Sequence, residues 1–199
     1  MIGIVDYGAG NLHSVQKAFE YLGKNCTILR DPGDLGKVAR VVLPGVGSFG
    51  HALKEIQKKK WFVPLRDWLD EDRPFLGICL GMQLLFESSD ESPGVRGFSL
   101  VKGTCRKFTE RKVPQIGWNG ICIKRNGPLF TGLVSGSYFY FVHSFYAAPE
   151  DGGATCAETF YGSFFVSIVG KGRVFGVQFH PEKSGNKGLR LLQNWVERC

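Results

Sequence analysis

The sequence lacks the cysteine pattern of a zinc site or a disulfide scaffold. Its six cysteines lie at wide, irregular spacings with no C-x-x-C pair, and its four histidines are far from them in sequence. Structural zinc sites use closely spaced ligand pairs, and disulfide frameworks are typical of short secreted chains. We therefore expect neither a bound metal nor disulfide bonds.

Long apolar runs and a secretory leader are also missing. No apolar stretch approaches the ~20 residues that a membrane-spanning helix needs. The first residues, MIGIVDYG, lead directly into a strand pattern and do not resemble a signal peptide. We therefore expect a cytoplasmic protein that does not bind a membrane.

The basic residues are not clustered, although the formal net charge is +7. Residues 58–60 form the only lysine triple, and most other basic residues stand singly among acidic and apolar ones. Such a distribution is typical of solvated helix ends, and it does not favour nucleic-acid binding. A basic rim is compatible with an acidic partner or an anionic metabolite.

Two kinds of pattern divide the chain. Residues 2–87 alternate short apolar runs with amphipathic segments in the order β-α-β-α-β-α-α-β-α, which predicts a parallel sheet with helices on both faces. Residues 99–179 are rich in β-branched and aromatic residues with turn signals between them, and residues 188–198 have helical spacing. With no repeat or linker, the sequence predicts a single α/β domain over residues 1–199, mostly parallel, with added antiparallel strands. The two strongest strand patterns of this half are residues 138–146 and 173–179.

A candidate nucleophile lies in Gly77-Ile-Cys79-Leu-Gly81, between a predicted strand at 74–78 and a predicted helix at 80–87. Glycines on both sides permit the sharp strand–helix turn of a nucleophile elbow, which presents the central side chain above the sheet. The start of a helix favours a thiolate, and the N–H of Leu80 is placed to face an oxyanion. A cysteine chosen at random is more often an inert buried residue, but this junction favours catalysis.

A candidate base lies at the end of the strand pattern 173–179. His180 and Glu182 are separated by Pro181, and residues i and i+2 of an extended segment point to the same side. The carboxylate can therefore orient the imidazole, as a thiolate nucleophile requires. An incidental acid beside an exposed histidine is an equally good interpretation until Cys79 is considered.

Two further glycine-rich loops follow strands. The loop at 44–50 lacks the lysine of a phosphate-binding P-loop, and it is either a plain turn or a source of bare N–H groups for an oxyanion. The turn at 8–10 lacks the third glycine of a dinucleotide fingerprint because His13 occupies that place. We do not expect dinucleotide binding.

Taken together, these segments resemble the class I glutamine amidotransferases over nearly the whole chain. Within that class they are most similar to the glutaminase subunits of imidazole glycerol phosphate synthases. The motifs that carry the resemblance are DYGAGN (6–11), LPGVGSFG (43–50), GICLGMQLLFE (77–87), PQIGWN (114–119), YFVHSFYA (140–147) and GVQFHPEKS (176–184).

The resemblance implies a flavodoxin-like fold, no cofactor, and a Cys79–His180–Glu182 catalytic triad. It implies that a heterodimeric partner, a (β/α)₈-barrel synthase, receives ammonia released from glutamine. The remaining implied site residues are Val46 and Gly47 for the oxyanion; Gly45, Gln83, Glu91, His143, Ser144 and Phe145 for glutamine; and Asn11, Trp118, Asn119, Tyr140 and Lys183 for the partner.

Three alternatives remain at the level of sequence. A paralogous glutaminase would supply ammonia to a different, sugar-modifying synthase through similar surface residues. A catalytically silent subunit would be expected to have lost one of its Cys, His and Glu residues, but all three are present. A hydrolase that acts alone would leave the partner-facing motifs unexplained.

Overall fold

The computed structural model describes all residues from Met1 to Cys199 and is built on one twelve-stranded sheet. Nine strands follow one another in the order β2-β1-β3-β4-β12-β11-β10-β7-β8, and β5, β6 and β9 form a branch. The first five strands of this order are parallel, and the next four join the sheet through antiparallel pairs. The predicted α/β architecture, with a parallel core and added antiparallel strands, is confirmed.

The parallel part comes mainly from the first half of the chain. Strands β1, β3 and β4 are fully or largely buried, as expected for a sheet covered on both faces, whereas the edge strand β2 is only partly buried. The elements of this part are β1 (Ile2–Val5), α1 (Leu12–Tyr21), β2 (Cys26–Leu29), β3 (Arg40–Gly45), α2 (Phe49–Lys58), α3 (Phe62–Asp70), β4 (Phe75–Cys79) and α4 (Leu80–Gln83).

The second half supplies the remaining strands and the last helix. Burial alternates along β6 and β8, which is typical of strands with one face on the core, whereas β11 is buried along most of its length. The elements are β5 (Phe86–Ser89), β6 (Val101–Lys107), β7 (Gln115–Ile123), β8 (Tyr138–His143), β9 (Phe145–Pro149), β10 (Thr155–Tyr161), β11 (Ser163–Lys171), β12 (Val174–Val177) and α5 (Gly185–Arg198).

Each face of the sheet buries its own apolar core. A cluster of 28 buried residues includes Trp61 and Trp68, from the α2–α3 region. A second cluster of 25 includes Phe19 of α1 and Trp195 of α5, whose rings lie 6.0 Å apart. Because both faces are covered, the sheet edges and strand ends are the places left for a site. No helix combines the length and apolar character needed to cross a bilayer.

Three details differ from the sequence prediction. The helix predicted over 80–87 ends at Gln83, and Phe86–Ser89 instead pairs with β6, so strand pairing with a distant segment overrides helical spacing. The strand predicted over 138–146 divides at Ser144, because β8 pairs with β7 and β9 pairs with β6. The connection between β2 and β3 is a 3₁₀ segment, Pro32–Lys37, and not an α-helix.

Candidate active site

Three neighbouring parallel strands bring the candidate residues together. β3, β4 and β12 lie side by side in the sheet, with Gly45 of β3 opposite Cys79 of β4 and Val177 of β12 opposite Ile78. Parallel strands end at the same edge, so the segments that follow them must meet there. The oxyanion-loop candidate, the nucleophile candidate and the His180 segment therefore converge.

Cys79 occupies a sharp turn between β4 and the single turn of α4. Its backbone has φ 55° and ψ −108°, a conformation that L-residues rarely adopt and that costs energy. Both flanking positions must be glycine because a side chain would clash with the backbone. A Cβ at Gly81 would lie 1.8 Å from the carbonyl oxygen of Leu43, and a Cβ at Gly77 would lie 2.5 Å from the carbonyl oxygen of Gly81. The sequence thus folds into an elbow that only glycine neighbours allow.

The residue Cys79 is 7% exposed, and its sulfur has two polar neighbours besides the imidazole of His180. The thiol lies 3.9 Å from the carbonyl oxygen of Val142, and the Nε2 amide of Gln178 lies 3.7 Å from the sulfur. The first of these groups accepts a hydrogen bond and the second donates one, so the sulfur is provided with a partner in either protonation state. α4 has only four residues, so the helix of the sequence prediction contributes little here.

His180 and Glu182 form a buried pair. The Nδ1 atom of His180 lies 2.8 Å from Oε1 of Glu182, and the two side chains are only 4% and 1% exposed. Burial opposes protonation of His180, but its interactions with Cys79 and Glu182 outweigh that effect and raise the pKa of the imidazole to about 10. At neutral pH the imidazole of His180 is therefore protonated.

The backbone that produces this pair is not the extended one predicted. Residues Pro181–Lys183 form a 3₁₀ turn, with His180 as its cap. The N–H of His180 donates to the carbonyl of Tyr140 at 2.9 Å, and the hydroxyl of Ser184 donates to the carbonyl of His180. These bonds fix the histidine segment against β8.

A cavity of about 300 Å³ opens beside Cys79. Of the twelve residues implied for catalysis, the oxyanion and glutamine, ten line this cavity. Gly45 and Glu182 do not line it. Sequence reasoning did not include Pro114 and Val142. The full lining is Val46, Gly47, Cys79, Leu80, Gln83, Glu91, Pro114, Val142, His143, Ser144, Phe145 and His180.

Gln83 and Glu91 are each held by a backbone group. Nε2 of Gln83 donates to the carbonyl of Phe145 at 2.9 Å. Oε2 of Glu91 accepts from the N–H of Phe49 at 2.7 Å, which places its carboxylate at the start of α2. Both side chains therefore line the cavity in fixed positions.

His143 is a neutral, buried histidine in the cavity wall. Burial lowers the pKa of His143 to about 4, and the nearby charge of His180 acts in the same direction. Its Nδ1 atom lies 2.8 Å from the carbonyl of Phe145, so the proton of the neutral ring is on Nδ1. The ring anchors the 143–145 turn of the wall.

The residues implied to face a partner lie near this edge of the sheet. Trp118 is 56% exposed, and its ring meets the ring of Tyr140 edge to face at 6.2 Å. Asn119 donates from Nδ2 to the carbonyl of Phe160, and Asn11 accepts from the N–H of Ser14 as the cap of α1. Lys183 is exposed on the 3₁₀ turn after His180, against which α1 packs.

Two buried residues at the site were missed by sequence reasoning. The hydroxyl of Tyr7 has no hydrogen-bond partner and fills the space beside Gly45, where a Cβ would lie 2.6 Å from its oxygen. Burial, with a smaller effect of Cys79, raises the pKa of the Tyr7 phenol. Gln178 touches the sulfur of Cys79, and its position two residues before His180 is a signal that could have identified it.

Comparison with known proteins gives consistent results. The profile of the family described as "Glutamine amidotransferase class-I" matches residues 3–199. The chain is 47% identical to the imidazole glycerol phosphate synthase subunit HisH of Halobacterium salinarum, over 100% of this chain and 93% of that protein. It is 45% identical to the HisH subunit of Methanocaldococcus jannaschii, over 99% of each chain.

Solved structures show the same fold at lower identity. The Thermotoga maritima structure described as PurLQS includes a chain that matches with a TM-score of 0.79 at 20% identity, over 98% of this chain and 96% of that chain. A crystal structure described as a glutamine amidotransferase matches with a TM-score of 0.78 at 16% identity, over 98% and 97% of the two chains.

Proposed function

The chain belongs to the class I glutamine amidotransferase family, and we propose that it is the glutaminase subunit of an imidazole glycerol phosphate synthase in histidine biosynthesis. Near full-length identity to HisH subunits supports this assignment. The observation that carries the chemistry is that His180, which is paired with the buried Glu182, lines the same cavity as Cys79.

The first step is attack by the Cys79 thiolate on the carboxamide carbon of glutamine. A carbon–sulfur bond forms, and the carbonyl oxygen becomes an oxyanion. The N–H of Leu80 and one from Val46 or Gly47 hold this oxygen, since all three residues line the cavity. Each such donor contributes about 3–4 kcal/mol to stabilising the transition state.

The second step releases ammonia. The carbon–nitrogen bond breaks as His180 gives its proton to the departing nitrogen, which leaves a thioester on Cys79. Neutral His180 then takes a proton from water, and the resulting hydroxide attacks the thioester carbon to release glutamate. The raised pKa of His180 supports its role as the acid, and Glu182 keeps the ring oriented throughout.

Gln83 and Glu91 hold the α-amino and carboxylate groups of glutamine in this scheme. Glu91 presents a carboxylate suited to the ammonium group, and Gln83 presents an amide fixed by Phe145. The backbone of residues 143–145, with Gly45, completes the glutamine pocket. No cofactor or metal takes part in this chemistry.

Ammonia must reach its acceptor without meeting bulk water, where it would become the non-nucleophilic ammonium ion. A shielded path requires a docked partner, and we assign this role to a (β/α)₈-barrel synthase that forms imidazole glycerol phosphate and AICAR, a lyase reaction. Asn11, Trp118, Asn119, Tyr140 and Lys183 form the docking face in a cytoplasmic heterodimer. The continuous sheet supports a single domain over residues 1–199.

A paralogous glutaminase that serves a sugar-modifying synthase is not favoured. Curated relatives that align over 98% or more of the chain include the HisH subunits of imidazole glycerol phosphate synthase from Chlorobium luteolum, Methanocaldococcus jannaschii, Halobacterium salinarum and Moorella thermoacetica. We therefore keep histidine biosynthesis as the pathway.

Glutamate release measures the proposed activity directly. The chain should release glutamate from glutamine in a complex with a histidine-pathway synthase barrel and its substrate, and Cys79→Ala should abolish this release. Equal activity of Cys79→Ala and wild type would contradict the central chemistry. If no synthase barrel changed the activity of the chain, only the proposal that it works as a subunit coupled to a synthase would be contradicted.

A further inference from the structure

Gln178 is a fully buried polar residue directly after β12. Its side chain has no exposed surface, and its backbone N–H donates to the carbonyl of Ser167 at 2.9 Å. It does not line the glutamine cavity. A buried amide needs hydrogen-bond partners, so the groups that it contacts define what it does.

The neighbouring bonds determine how the Gln178 amide is oriented. The carbonyl of Phe145 can only accept, so the Gln83 atom that faces it must be the NH₂ group. The same NH₂ group donates its other proton to Oε1 of Gln178 at 3.0 Å. The NH₂ group of Gln178 is then the one that faces the sulfur of Cys79, at 3.7 Å.

Besides the imidazole of His180, which also interacts with Cys79, the sulfur has two uncharged polar neighbours, and these two favour opposite protonation states. The carbonyl of Val142, at 3.9 Å, can only accept and so suits the S–H of a thiol. The N–H of Gln178 can only donate and so suits the lone pairs of a thiolate, where a hydrogen bond to an ionised group is strengthened. Both groups contact the same sulfur atom, so their effects on its protonation oppose each other.

We propose that Gln178 is a positioning residue that stabilises the Cys79 thiolate with one end of its amide and fixes Gln83 with the other. This inference rests on the proposed glutaminase function, in which Cys79 attacks and Gln83 contacts glutamine. Gln178 acts through these two residues and does not touch substrate. A single buried amide thus links the nucleophile to the substrate pocket.

Site-resolved alkylation tests the thiolate half of the proposal. The full chain is treated with iodoacetamide across a pH series, and modification of Cys79 is separated from that of the other cysteines by peptide mass spectrometry. Gln178→Met replaces the amide with a side chain of similar volume that has no N–H donor. Gln178→Asn keeps the amide but shortens the side chain by one methylene, which moves the donor away from the sulfur. We expect both variants to move the alkylation midpoint upward by about one pH unit, which slows modification about tenfold at pH values below the wild-type midpoint.

Steady-state kinetics test the Gln83 half. With the synthase complex, Gln178→Met should raise KM for glutamine as well as lower kcat, because Gln83 loses one of the two acceptors that hold its amide. Ser167→Ala is the control: its buried hydroxyl has no partner, and its carbonyl still binds Gln178. We expect this variant to have the wild-type midpoint and KM.

A measurement on the wild-type chain does not depend on how well a variant folds. The side-chain amide resonance of Gln178 should shift with pH at the same midpoint as Cys79 alkylation, and this shift should vanish in Cys79→Ser. An unchanged midpoint in both Gln178 variants, or an amide resonance that ignores pH, would overturn the inference. Neither result would contradict the proposed function, which is contradicted only if Cys79→Ala has the same glutaminase activity as wild type.

Discussion

At the scale of single residues, the backbone is strained at Cys79, the proposed nucleophile. Cys79 has a positive φ although it is not glycine, and its side chain is held above the ends of β3 and β12. Strain of this kind costs about 1–3 kcal/mol and persists only where the surrounding structure imposes it. The elbow therefore lowers the stability of the fold but places the sulfur of Cys79 at the cavity.

This strain predicts an unusual order of stability for substitutions at Cys79. We expect Cys79→Gly to have a free energy of unfolding about 1 kcal/mol higher than Cys79→Ala, because glycine adopts φ 55° without steric cost. Urea denaturation of the two variants measures the difference. Cys105, buried in β6 without a positive φ, is the matched control, and there the alanine variant should be the more stable. The same order at both positions would refute the strain argument.

The His180–Glu182 pair predicts a pH-dependent stability. The folded chain raises the pKa of His180 from about 6.5 to about 10, so protonation of this ring stabilises the fold. That contribution is complete below the unfolded pKa and is lost as the pH rises toward 10. We expect the destabilisation caused by Glu182→Gln to be largest at pH 6 and to shrink steadily toward pH 10.

Urea unfolding at several pH values measures this effect. Glu197→Gln removes an exposed ion pair with Lys24, whose side chains are 37% and 27% exposed. Its effect should be small and flat over the same range, because exposed pairs contribute little. A Glu182→Gln effect that is equally flat would show that the pair does not hold the proton in the folded chain.

At the scale of elements, the sequence predicted most of the helices and strands but not their long-range pairing. Local spacing gave α1, α2 and α3 because each has an apolar face that packs on the sheet. The helix predicted to reach Glu87 ended at Gln83, since pairing of Phe86–Ser89 with β6 joins segments that are distant in sequence. Local periodicity carries no information about such a partner.

The same limit explains which site residues could be predicted. Cys79, His180 and Glu182 stand in short motifs at strand ends, where chemistry and local geometry coincide. Gln178 and Tyr7 become part of the site only because three strands meet there. Their contacts depend on the register of the sheet, which no single segment of sequence contains.

The start of α2 depends on a residue that is distant in sequence. Ser48 makes no side-chain capping bond, and the carboxylate of Glu91 accepts from the N–H of Phe49 instead. We expect Glu91→Ala to lower the free energy of unfolding by about 1–2 kcal/mol and Glu91→Gln to recover most of it. Both variants should raise KM for glutamine, because an uncharged group binds the substrate ammonium poorly.

A substitution at Ser92 distinguishes the capping of α2 from the binding of glutamine, the two roles that Glu91 combines. Its hydroxyl accepts from the N–H of Gly50 at 2.9 Å, but the side chain does not line the cavity. We expect Ser92→Ala to lower stability by about 1 kcal/mol and to leave KM unchanged. If Glu91→Gln bound glutamine as tightly as wild type, the proposed role of Glu91 in the pocket would be wrong.

At the scale of the whole molecule, large apolar side chains are exposed unevenly. The β7–β8 pair presents Ile116, Trp118 and Tyr138 to solvent at 63%, 56% and 60%. Side chains two residues apart on paired strands share one face of a sheet. This apolar face lies beside the His180 segment, which β8 holds by backbone bonds, and a shielded path for ammonia would have to leave the chain near there.

Trp118 is therefore the residue on which partner binding should depend most. Exposed tryptophans at the centre of an interface commonly contribute 2 kcal/mol or more to binding. We expect Trp118→Ser to raise the Kd for the synthase barrel by about 30-fold or more, measured by titration calorimetry. Since Trp118 is 56% exposed, its loss should not change the stability of the isolated chain by more than about 0.5 kcal/mol.

Tyr21 provides the matched control, because it is a large aromatic residue with 79% exposure at the far end of α1 from Asn11. Tyr21→Ser should leave the Kd at its wild-type value. Equal losses of affinity in the two variants would mean that general surface hydrophobicity, and not this face, drives assembly. Unchanged affinity in Trp118→Ser would place the docking face elsewhere on the molecule, while the glutaminase chemistry at Cys79 would still stand.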